Sequence, residues 1–191
     1  MSVRIVIEAG DPRLKAKNKI VSDFNSSQIQ KLIKDLIDTM RKTDLIGIAA
    51  SQIGENYMVF VTQPRNTQAR KLGKTDKLRV YINPKITYKS KTQSIIYEGC
   101  GSVGLFGPVS RPAEIEVQAI DQKGKNFSLR TDGILARVIQ HEYDHLNGIE
   151  FIQKVNDYSK IIVEKHYRKN IRNSALQRKN SLTTKVEYKK L

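Results

Sequence analysis

The 191-residue chain has one cysteine, Cys100, and no tryptophan. A single thiol excludes an intrachain disulfide and suits a reducing compartment, so a cytoplasmic location is expected. Long apolar runs are missing too, and none approaches the ~20 residues needed to cross a bilayer. The opening "MSVRIVIEAGDP" has no basic segment leading into an apolar stretch, which argues against a secretory leader. Acidic residues are scarce, 19 against 34 Lys and Arg, and the formal charge is +15. That excess implies an anionic partner such as nucleic acid, ribosome or membrane surface, but does not choose among them. Aromatics are only 7% of the chain, and no nucleic-acid-binding motif is present, so a sequence-specific reader of nucleic acid is not expected.

What is present reads as one globular domain. "NSSQIQKLIKDLIDTMRK" predicts an amphipathic N-terminal helix. Ile29, Leu32, Ile33, Leu36, Ile37 and Met40 form its apolar stripe, and Ser27 and Gln30 have capping-box spacing. "VRIVIEA" reads as a short β-rich opening. "YMVFVT", "RVYINP", "QSIIYEGC", "AEIEVQAID" and "FSLRT" read as strands. "QPRNTQARKLGKTDKL" is a basic loop, and the stretch after Cys100 is a glycine-rich turn. Short strands in series with helices near the ends predict an α+β fold, with antiparallel strands around a central helix rather than a parallel sheet.

That central helix is "GILARVIQHEYDHL", capped by Thr131 or Asp132 and stopped by Asn147-Gly148. Ile134, Val138, His141 and His145 recur at helical spacing and share one face. Leu135, Ile139, Glu142 and Leu146 form the adjacent stripe. The histidines therefore continue a core-facing side, while Arg137, Gln140 and Tyr143 point away from it. Two imidazoles one turn apart can reach one metal ion, and the glutamate between them can serve a water there as general base. The bland alternative is a pair of satisfied core histidines.

A third ligand is needed. Downstream, Glu150, Asp157, Glu164 and His166 are available, but none sits in a persuasive motif. Upstream, Cys100 ends an apolar strand between glycines, which permit close backbone approach. A thiolate with two imidazoles leaves one tetrahedral position open, as catalytic sites do.

"GIAASQ", "EGCGS" and "HEYDH", in this order, together with "IVIEAGDPRL" near the start, resemble the motifs of the peptide deformylases over about residues 3 to 155. The resemblance implies Cys100, His141 and His145 as metal ligands and Glu142 as general acid and base. It also implies that Gln52 and the Gly101 N–H donate to the carbonyl oxygen under attack, and that the Gly47 backbone pairs with the substrate peptide. Ile46, Ile96, Ile134 and Val138 are candidates to line a methionine pocket. The sequence departs from the family's motifs at Leu45, where glycine is usual, at Ser51, usually proline, and at Gly101, commonly leucine.

The implied reaction is removal of the N-formyl group from the initiator methionine of nascent polypeptides. Ferrous iron is the metal the resemblance favours, with zinc, nickel or cobalt as substitutes. The competing readings are an HExxH endopeptidase, which needs a downstream third ligand, and a non-enzymatic basic module. Residues 1–156 are expected to form the catalytic domain and 157–191 a basic C-terminal helix and tail. That last segment has ten Lys and Arg against three Asp and Glu, and docking on the ribosome is the functional reading of its charge.

Overall fold

The computed structural model describes residues 3–67, 71–72 and 74–191. Helix α1 (Ser27–Lys42) buries Ile29, Leu32, Ile33, Leu36 and Met40, the stripe expected from the sequence. Its N-cap is Ser26 rather than Ser27, and no capping box forms. Ser26 Oγ donates instead to Asp23 O at 2.9 Å, and the Gln30 amide to Phe24 O at 2.7 Å. Short polar side chains readily bond a nearby turn in this way.

The strands are antiparallel throughout their ladders. One sheet joins β1 (Gly47–Ala49), β2 (Val59–Thr62), β3 (Arg79–Lys89), β6 (Glu114–Ile120), β7 (Asn126–Asp132) and β9 (Val186–Lys190), in that spatial order. The other joins β4 (Gln93–Cys100), β5 (Val103–Pro112) and β8 (Ile162–Val163). Between them runs α2 (Gly133–Leu146). Its Leu135, Ile139 and Leu146 pack with Phe60, Tyr81, Ile115, Val117 and Leu129 of the larger sheet. Its Arg137 and Gln140 reach the smaller one, bonding the carbonyls of Ser94, Val109 and Pro112. The fold is α+β around the helix that carries both histidines.

Three local expectations change. The "VRIVIEA" stretch forms no strand. Ile7 N–H bonds Gln52 O at 2.9 Å and Ala9 N–H bonds Ser102 O at 2.8 Å, two partners on different elements that make no ladder. The glycine-rich turn after Cys100 closes at once, and β5 follows with two glycines inside it. Gly107 is there for packing, since a β-carbon on it would lie 2.9 Å from Val155 Cγ2. Arg137 and Gln140 are buried, so α2 has no wet side at those positions.

Residues 157–191 are built into both sheets. A helical turn, α3 (Glu164–His166), begins later than the apolar spacing of Tyr158, Ile161 and Ile162 suggests, and continues as a π turn over Tyr167–Ile171. Then α4 (Ala175–Ser181) packs on β4, and β9 pairs with β7 from Phe127↔Lys190 to Thr131↔Val186. The segment also caps α2. Thr183 Oγ1 accepts from Leu135 N–H at 3.4 Å, while the Asp132 carboxylate accepts from the Thr184 and Lys185 N–H groups.

Candidate metal centre and active site

Cys100 ends β4 at a register shift between Gly99 and Cys100, the kind of irregularity that re-aims a side chain. His141 and His145 stand one turn apart on α2. Ligand atoms of the three lie within 4.8 Å of one another, and Cys100 Sγ is 3.1 Å from His145 Nε2. Among the described residues, this is the one cluster of its kind, and Glu150, Asp157, Glu164 and His166 lie outside it.

Glu98 orients the cluster. It lies two residues before Cys100 on the same face of β4, and its Oε2 is 2.9 Å from His141 Nδ1, leaving the other ring nitrogen for the centre. Arg111 donates to both oxygens of Glu98 at 2.6 and 2.9 Å, and Arg137 Nη1 to Oε1 at 2.7 Å. Arg111 also donates to Asp144 at 2.5 Å. Burial opposes a charge on Glu98, but Arg111 and then His141 outweigh it and hold the carboxyl well below its usual range. Nothing in the apolar spacing of β4 flagged Glu98 or its two arginines. A charged residue at a core-facing position of a strand is the signal that could have found them.

Burial likewise opposes the Cys100 thiolate, and His145 and His141 overcome it, so the thiol sits well below its ordinary pKa. Burial pushes Glu142 up to about 7, against the two histidines that pull it down. Glu142 Oε2 and His145 Nδ1 are buried without a hydrogen-bond partner among the described residues. A thiolate, two imidazoles and an unsatisfied carboxylate oxygen suit a divalent cation with water beside it, because such a cation displaces the protons those ligands otherwise share. The residues fit a metal.

Gln52 lies in a 3-10 turn, Ala50–Ile53, directly after β1. Its Oε1 accepts from Ala49 N–H at 2.9 Å, which aims Nε2 at Cys100 Sγ, 3.3 Å away, and at Ser102 Oγ, 3.4 Å away. Beside it, Ser51 is fully buried and donates to His145 O at 3.3 Å. The departure from proline thus tethers the turn to α2. A cavity of about 790 Å³ opens over these groups. Ile46, Gly47, Gln52, Ile96, Cys100, Gly101, Ile134, Val138, His141 and Glu142 all line it, while His145 lies behind, 1% exposed. The far wall, unforeseen from the sequence, comes from Tyr167, Gln177 and Leu182.

The chain matches the family described as Polypeptide deformylase over residues 3–160. It is 38% identical over 149 residues to a peptide deformylase of Treponema pallidum, covering 78% of this chain and 85% of that one. To the peptide deformylase of Pseudothermotoga lettingae it is 39% identical over 166 residues, covering 86% and 90%. Among solved structures, it is similar to a Synechococcus elongatus peptide deformylase in complex with actinonin, with TM-score 0.73 and 33% identity over 84% of this chain and 82% of that one. A Met-Ala-Ser-bound class I type b peptide deformylase of Acinetobacter baumannii is similar with TM-score 0.77 and 31% identity, over 81% and 100%.

Proposed function

The chain belongs to the polypeptide deformylase family, metal-dependent hydrolases that remove the N-formyl group from newly made polypeptides, and we propose the residues by which it does so. Cys100, His141 and His145 hold one divalent cation, which when bound supplies Lewis acidity and lowers the pKa of water in the site. Glu142 takes the proton of the attacking water and returns it to the departing amine. Gln52 Nε2 and the Gly101 N–H donate to the formyl oxygen as it gains charge, an effect typically worth about 2.7–4 kcal/mol per donor. Ile46, Ile96, Ile134 and Val138 hold the methionine side chain, and the backbone at Gly47 takes the peptide as an added strand. The Met-Ala-Ser peptide bound to the Acinetobacter relative supports this substrate class.

The carrying observation is the convergence of one cysteine and two histidines on the cavity that Glu142 lines. An HExxH endopeptidase would place a downstream residue in that cluster, and among the described residues none is there. We further propose ferrous iron as the cellular metal, with zinc, nickel or cobalt as working substitutes, since availability rather than affinity order selects among them. Residues 1–156 carry the chemistry in a cytoplasmic enzyme. No helix among the described residues is long and apolar enough to cross a membrane. Residues 157–191 offer exposed Lys179, Lys189 and Lys190 to ribosomal phosphates. Metal analysis of anaerobically purified protein, combined with formate release from formyl-Met-Ala-Ser, tests the assignment. Loss of both activity and metal in Cys100→Ala is expected, and full metal loading in that variant would overturn the ligand set.

A further inference from the structure

β4 is an edge strand: the smaller sheet runs β4-β5-β8, so one side of β4 faces the cavity without a paired strand. Along an antiparallel strand, alternate residues turn both backbone polar groups to the same side. Tyr97 is paired in register with Pro108, which has no N–H to give, and its own N–H and C=O point outward. Gly99 and Ile95 share that parity. An incoming peptide whose formyl end lies at Cys100 would run back along β4, meeting Gly99 first, Tyr97 two residues later and Ile95 two residues after that.

Two of those three positions are already taken. Gln177 Oε1 accepts from Tyr97 N–H at 3.0 Å, and its Nε2 donates to Tyr97 O at 3.1 Å. One side-chain amide thus makes the reciprocal pair of bonds that a neighbouring strand would make. Nε2 also reaches Tyr167 Oη at 3.3 Å, and the Gln177 residue is 8% exposed. Asn180 Nδ2 donates to Ile95 O at 2.9 Å. Tyr167 braces the arrangement, its ring stacked on Phe106 with centroids 4.2 Å apart. Ser174 Oγ caps α4 by accepting from Gln177 N–H at 3.2 Å. All of α4 lies beyond residue 160, where the family match ends.

We propose that Gln177, seconded by Asn180, terminates substrate strand addition on β4 after Gly99, so that this enzyme reads the formylated methionine and its near neighbour and is indifferent to the chain beyond. The inference rests on the deformylase reading of the cavity. Gln177 is a specificity-determining residue that never touches the reacting atoms. Strand pairing that is equal in ground and transition states alters KM and leaves kcat alone. Opening Tyr97 and Ile95 should therefore make KM fall as the peptide lengthens.

The test is a length series of formyl-Met-Ala-Ser-amide and its tetra- and pentapeptide extensions, assayed with the metal-loaded full chain and with Gln177→Ala/Asn180→Ala. Binding of the matching deformylated peptides is measured alongside by calorimetry. The wild type should change KM by less than about twofold across the series. In the variant KM should fall roughly three- to tenfold across the series, with peptide affinity rising by the same factor at unchanged kcat, the size of one or two net backbone hydrogen bonds. Truncation after Asn173 should give the same profile, and if that protein fails to fold the double substitution decides alone. A steep profile in the wild type, or a flat one in the variant, overturns the proposal. Absence of formate from every peptide would instead overturn the deformylase reading itself.

Discussion

Leu45 and Gly101 share one space: a β-carbon on Gly101 would lie 3.0 Å from Leu45 Cδ1. These are two of the three positions at which the sequence departs from its family's motifs, and the departures answer each other. A leucine reaches the cavity wall from β1's side, and the residue after Cys100 has given up its own side chain to admit it. Gly101→Leu alone should overpack the site, at about 1–3 kcal/mol of stability, with activity falling. Adding Leu45→Gly should restore much of both. Urea denaturation and formate release of the two single variants and the pair would show the coupling, and strict additivity would deny it.

Gly47 meets Glu142 more tightly still. A β-carbon on Gly47 would lie 2.5 Å from Glu142 Oε1 and 2.5 Å from Val138 Cγ1. Its strand is held in register, Gly47↔Thr62 through Ala49↔Phe60, so the carboxylate rather than the backbone must give way. Gly47→Ala should retain its metal and lose about a hundredfold in kcat/KM, the scale of a displacement near 1 Å at a reacting group. Unchanged turnover would mean that Glu142 has room the structure does not show.

Glu98 is the common acceptor of Arg111, Arg137 and His141. Glu98→Gln removes the negative charge between two buried guanidiniums. A loss of about 3–5 kcal/mol in stability is expected, as for breaking a buried pair. With His141 no longer oriented, metal affinity should fall about 10–100-fold in a chelator competition. Wild-type affinity in a folded Glu98→Gln protein would show that His141 needs no such partner.

Cys100 is a half-buried, readily ionised thiol on the cavity wall and the oxidisable member of the cluster. Peroxide should inactivate the enzyme in step with metal release and loss of one titratable thiol. Inactivation that leaves the thiol count unchanged would place the oxidation elsewhere.

Where side-chain periodicity matched burial, the sequence could be read directly. The stripe of α1 and the run "QSIIYEGC" became α1 and β4 with little shift, and HExxH lies on a buried helix. β5 was hidden because Gly104, Gly107 and Pro108 mark turns in most contexts. Here the strand is held by its ladder to β4, with Pro108 placed where no N–H is needed. β9 was hidden because "VEYKK" is polar at an exposed edge, and its pairing with β7 leaves no apolar signature. Arg137 read as surface since burying a charge is costly, yet Glu98 neutralises it inside. Gln177 and Asn180 carry no sequence signal, because their role depends on which strand edge the fold leaves open.

The central claim is that Glu142 moves the proton while Cys100, His141 and His145 hold the metal. The most direct measurement is metal stoichiometry and formate release on the same preparation of Glu142→Gln. The account predicts one metal per chain, as in the wild type, and turnover reduced by about 10²–10⁴. A fully loaded Glu142→Gln enzyme that releases formate at the wild-type rate would contradict it.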